Sequence, residues 1–162
     1  MAEFDPSEWT DFFVASAGAS AALAGLVFVA VSINIDRILS MQGVPERALE
    51  TVLALLGVVL MSLIMLIPGL SDDTLAILLL TEAVLLIALA VQINRQGHGS
   101  AEGTAHASRH FLRAMATLPV LIGGVSLLVQ SGGGLYWIAA GVLLGILAGV
   151  MNAWVLLVEI LR

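Results

Sequence analysis

Glu82 is the ninth residue of an otherwise uncharged run, TLAILLLTEAVLLIALAVQI (74–93). If that run crosses a bilayer, the carboxyl lies near its middle, where a charge costs at least about 2.5–3.5 kcal/mol on insertion scales. Two kinds of chemistry suit an acid in that position. It can exchange a proton, or meet a small cation, on a path through the membrane. It can equally serve as a neutral hydrogen-bonding link to a neighbouring helix, with Asn152 or Ser62 as the partner. Both readings are open at the level of sequence. Asn152 in the last apolar run, and Ser32 and Asn34 near the end of the first, are the other polar groups that a moving ion would meet.

A second set of charges, Asp36, Glu50, Arg113 and Glu159, falls close to the ends of apolar runs. Arg113 is placed to pair with Glu50 or Glu159, and Arg37 or Arg47 with Asp36, which would make a charge layer at one side of a helix bundle. Arginine can also satisfy itself by extending its stem to the interface without any pairing.

Other chemistries find no support. His106 and His110 are four residues apart, with His98 as a third imidazole, but their surroundings are sparse in acids apart from Glu102 and the chain has no cysteine. A solvated loop and helix start is the better reading than a metal site. Neither a phosphate-cradling glycine loop after a strand, nor H-E-x-x-H, nor G-x-S-x-G occurs, and Gly132-Gly133-Gly134 reads as a turn. No metal, no cofactor and no enzymatic reaction are therefore expected. A net charge of −6 argues against nucleic acid as a partner.

The elements that must position these groups follow from composition. The chain is 162 residues long, 60% hydrophobic and only 11% charged. Apolar stretches near 20 residues recur, and at 1.5 Å per residue each matches a hydrocarbon core of about 30 Å. The pattern predicts an all-α, polytopic membrane helix bundle: a single transmembrane domain over 1–162 with five helices at about 6–36, 48–67, 74–94, 109–129 and 135–161. Asp5-Pro6-Ser7-Glu8 supplies a helix start, with Asp5 as cap, Pro6 in the first turn and Glu8 closing a capping box. Acids rather than a basic segment precede the first run, which is too long for a secretory h-region, so that run is expected to remain as a span.

Orientation follows from arginine. The basic residues are Arg37 and Arg47, then Arg95, Arg109 and Arg113, then Arg162, with no lysine. They occupy alternate gaps between the apolar runs, and positive charge marks the cytoplasmic side. This puts the N-terminus outside and the C-terminus inside a bacterial inner (plasma) membrane. Glu3, Asp5, Glu8, Asp11, Asp72 and Asp73 then lie outside, an acidic surface that would concentrate cations.

Packing faces are also legible. Gly141, Gly145 and Gly149 recur every four residues on the last helix, and Asn152 and Glu159 continue that face. Small residues let helix backbones approach, and polar residues on the same stripe bond across. Asp11, Gly18, Ala22, Gly25, Ser32 and Asp36 share a sector of the first helix, with Ser16, Ser20 and Asn34 opposite. Such a helix is expected at the centre of the bundle or along an oligomer axis, or else packed between two neighbours of its own chain. Pro119 and the pair Gly123-Gly124 predict a bent, flexible fourth helix.

The stretch WTDFFVASAGASAALAGLVFVAVSINIDRIL (9–39) resembles the opening of small, uncharacterised polytopic membrane proteins of high-GC bacteria. That resemblance implies a multi-span membrane protein and carries no site residue. Two functional expectations result. One is passage of a small cation or proton, in a homo-oligomer packed through the glycine faces. The other is a non-conducting membrane subunit or regulator that docks a larger membrane complex through those faces.

Overall fold

The computed structural model describes residues 5–96 and 103–161, with the side chains at 94, 96, 103–112 and 161 outside the description. A 3-10 turn at Pro6–Trp9 leads into α1 (Thr10–Ile33), followed by a short α2 (Ile35–Ser40), α3 (Val44–Met65), α4 (Asp72–Gln96), α5 (Gly103–Val129) and α6 (Gly134–Leu161). No strand occurs among the described residues. Four of the helices are long and apolar enough to cross a membrane: Pro6–Ile33, Val44–Met65, Asp72–Ile93 and Gly134–Ile160. The apolar part of α5, Arg113–Val129, is shorter.

Local chemistry sets the boundaries. Asp5 caps the first turn by accepting from the Ser7 amide (3.0 Å) and hydroxyl (2.7 Å), and these donors hold its carboxyl below the usual carboxylate range. Ser71 caps α4 through the Thr74 amide at 3.3 Å. Gly69 (φ +76) turns the chain between α3 and α4, and Gln130, Gly132 and Gly133, all at positive φ, turn it between α5 and α6. The loop expected at 36–47 is largely helical: α1 breaks at Asn34, α2 follows at once, and Gly43 (φ +80) opens α3 four residues before the apolar run. Pro45 and Glu46 suit a first helical turn, and this polar entry is invisible to a search for apolar length.

Helices α3, α4, α5 and α6 close a ring in which each packs on its two neighbours. Helix α1 lies outside the ring, mainly against α3, and this corrects the expectation that it is central. Its Ser16 and Ser20 face is buried, whereas Asp11, Gly18, Ala22, Gly25, Ser32 and Asp36 are all exposed. Small residues on two sides of a helix do not distinguish a protein neighbour from an open face.

The glycines show where the ring is tightest. A Cβ on Gly141 would stand 3.3 Å from the Ala116 carbonyl oxygen and the Val120 nitrogen of α5. One on Gly145 would meet Val58 of α3 at 2.7 Å, and one on Gly149 would meet Leu55 Cγ at 2.8 Å. This stripe packs α6 against its own chain. Gly123 and Gly124 do the same on α5, against Gly134 and Leu80. Helix α5 continues through Pro119. By contrast, nothing lies within 4 Å of a Cβ on Gly18 or Gly25.

Unequal effects of one substitution are expected. Gly141→Ala should destabilise the protein by about 1–3 kcal/mol through overpacking, whereas Gly18→Ala should be neutral or stabilising by up to about 1 kcal/mol from helix propensity. Equilibrium unfolding in mixed micelles measures both, and equal losses would contradict the ring geometry.

Candidate functional site

The ring is filled unequally along its length. Over the half that carries the α3–α4 and α5–α6 turns, Leu75, Leu79, Leu127, Leu135, Ile138 and Val142 form a closed apolar core, none more than 3% exposed. The other half contains a cavity of about 110 Å³. It reaches from Met61 and Gly141, where it overlaps the edge of that core, to Glu50, Arg113 and Asn152 near the arginine-bearing end.

Helix α4 explains the difference. Its buried residues, Leu75, Ala76, Leu79 and Ala83, all lie in its first half. From residue 84 to 93 none is buried, while Leu86, Ile87, Ala90 and Ile93 line the cavity. The second half of α4 thus stands over a space that the first half reaches only at Ala83.

Two ion pairs tie the ring at this end. Arg113 of α5 approaches Glu50 of α3 at 3.1 Å, and Arg47 of α3 pairs with Glu159 of α6. Of the pairings weighed from sequence, Arg113 takes Glu50; Glu159 goes to Arg47, while Asp36 and Arg37 are exposed on α2. A small cluster of Ile38, Val44, Ala48, Leu156 and Ile160 packs α2, α3 and α6 together beside these charges. Glu50 is well buried, with its side chain 10% exposed, and its Oε1 has no hydrogen-bond partner; nor does Glu46 Oε2.

Glu82 sits at the deep end of this space without lining it. Its carboxyl lies beside the backbone at Met61, a cavity residue, and the next residue, Ala83, also lines the cavity. Both Glu82 oxygens are covered and take no hydrogen bond. The candidate partners are elsewhere: Ser62 donates to the Val58 carbonyl at 2.8 Å, and Asn152 lines the cavity. Hydroxyls throughout the bundle follow the Ser62 pattern, including Ser20 to Ser16, Thr51 to Arg47 and Thr117 to Arg113. A helix in lipid must satisfy its polar groups internally, and the i−4 carbonyl is the nearest acceptor.

The other sequence candidates do not converge on Glu82. Ser32 is exposed on α1 and donates to Phe28, and the Asn34 amide donates to Ala30 at 2.8 Å as the helix ends. Neither lines the cavity. His98 and Glu102 fall outside the described residues, and the His106 and His110 side chains outside the described side chains. No metal-ligand cluster occurs among the described residues. Arg47, a candidate partner of Asp36 in the sequence, pairs with Glu159 instead, and Thr117 and Gly57, which the sequence does not mark as site residues, line the cavity. Their signal was present only as helical spacing: Arg47 precedes Glu50 by about one turn, and Thr117 follows Arg113 by four residues.

No protein-family model matches this chain, and no curated protein or solved structure matches it significantly.

The Glu50–Arg113 pair provides a test of this layer. Arg113→Leu strands a buried carboxylate and should destabilise by about 3 kcal/mol, whereas the double change Glu50→Leu, Arg113→Leu should recover most of that loss. Additive losses in the unfolding cycle would show that the two side chains do not act as a pair.

Proposed function

We propose that this is a five-span inner-membrane protein, N-terminus outside and C-terminus cytoplasmic, that passes a small cation or proton by way of Glu82. The observation that carries the reading is the relation between Glu82 and the cavity. An unpartnered carboxyl at mid-helix lies beside Met61, one wall of a space that Glu50, Arg113 and Asn152 also line. Buried polar groups without partners are uncommon and call for a reason, and a site that exchanges a proton or ion is one.

The arginine distribution supports the orientation, with the cavity facing the cytoplasm. The short apolar segment of α5 supports a fifth span, because α5 closes the ring between α4 and α6 and shares their environment. In this reading the apolar half of the ring blocks the resting state, and ion movement requires the packed half of α4 to shift. Acids at Asp5, Glu8, Asp11, Asp72 and Asp73 collect cations on the opposite face.

The exposed face of α1 favours a second reading. Gly18, Ala22 and Gly25 present an unoccupied small-residue surface within a span, which suits a partner helix from another copy or from a larger membrane complex. This is the basis for a non-conducting subunit or regulator.

Reconstitution separates the two. Proteoliposomes holding a pH- or potential-sensitive dye should show flux that falls to the level of empty liposomes in Glu82→Gln. Flux unchanged by that substitution would remove Glu82 from the path. No flux from correctly folded protein would leave the docking reading in its place.

A further inference from the structure

The arginine-bearing end of the cavity, its mouth in the conduction reading, holds a carboxylate with one oxygen that meets no donor. On the ring helices at that end the described acids are Glu46, Glu50 and Glu159, and the arginines that pair with them are Arg47 and Arg113. Arg95, at the end of α4, is exposed. Two covered oxygens, Glu50 Oε1 and Glu46 Oε2, lack a donor. Glu50 is nine-tenths buried, lines the cavity and turns only Oε2 to Arg113. The terminal torsion of glutamate is soft, so a donor lodged in the cavity can reach the free oxygen by a small rotation.

The remaining polar groups are complementary to a donor as well. Asn152 lines the same mouth, and its carboxamide oxygen is an acceptor for an N–H. Thr117 already donates to the Arg113 carbonyl, so its hydroxyl oxygen can only accept further. Deeper in, the walls are hydrocarbon: Leu53, Leu86, Ile87 and Val120. Acceptors at a polar rim over an apolar interior fit a small amphipathic cation.

We propose that this cavity is a binding site for a small organic ammonium ion, its charged head on Glu50 and Asn152 and its alkyl body among Leu53, Leu86 and Ile87. The inference rests on the cavity that the conduction reading uses, and names a class of cation for it. Size limits the ligand: a dry cavity of about 150 Å³ holds benzene, so a space of about 110 Å³ suits a body of roughly four carbons.

Equilibrium binding of n-butylammonium to the protein in nanodiscs, read by calorimetry against empty nanodiscs, tests this without any transport step. The expected order is n-butylammonium above n-butanol, with butyrate not bound. Glu50→Gln, which keeps a hydrogen bond to Arg113, should weaken the cation about tenfold or more through loss of a charge-assisted bond. Ala90→Leu should abolish binding by filling the cavity from half-exposed α4, which keeps the test independent of any folding defect in the charge variant. Equal binding of butanol, preference for butyrate, or no binding at all would overturn the proposal. Proton flux that depends on Glu82 in protein that does not bind n-butylammonium would sink this inference alone, and binding without flux would sink conduction alone.

Discussion

Three glycines on α6 set how near α3 and α5 stand to it, and the rest of the ring is arranged around that contact. In a bilayer the lipid tails are as apolar as leucine, so helices associate through close packing rather than through escape from water. Gly141, Gly145 and Gly149 let Val120, Val58 and Leu55 fill the place of a side chain. With α6 drawn against both α3 and α5, α4 is left to close the remaining side. It does so tightly through Leu75, Ala76, Leu79 and Ala83, and loosely beyond them. The cavity is the consequence of that change along one helix.

Polar groups divide along the same line. The hydroxyls of Ser20, Thr51, Ser62 and Thr117 return to carbonyls of their own helices. The covered oxygens without partners, those of Glu46, Glu50 and Glu82, lie at or beside the loosely packed half. Packing and unsatisfied charge are thus separated within one ring, stable at one end and chemically responsive at the other. A carboxyl held this way can lower its cost by taking a proton or a cation, and the ion readings follow from that cost.

Much of this was legible in the residues. Apolar length located the helices, since each span is a near-continuous run whose interior charges are few. The i, i+4, i+8 glycines marked a packing face because spacing alone puts them on one stripe. Shared depth at helix ends offered Arg113 either Glu50 or Glu159, and the structure gives it Glu50. What escaped depended on which helix neighbours which. Periodicity shows a small face on α1 but not whether another helix covers it, so the sequence left open a central place that the structure does not give it: α1 lies outside the ring, against α3. Gly123 and Gly124 read as flexible, yet they accommodate Leu80 and Gly134 on adjacent helices. A cavity is a difference between neighbouring packings, and no single helix encodes it.

Both ion readings rest on the contrast between the cavity-bearing part of the ring and its closed core. The described residues hold no cysteine and the chain contains none, so any single introduced thiol is unique. The direct measurement is the labelling rate of single cysteines in nanodiscs by a small cationic thiol reagent. Cysteines replacing Ala116 and Ala148, which line the cavity, should react readily, and those replacing Leu127 and Ile138 in the closed core should not. Comparable rates at all four positions, or protection of Ala116 and Ala148, would contradict it.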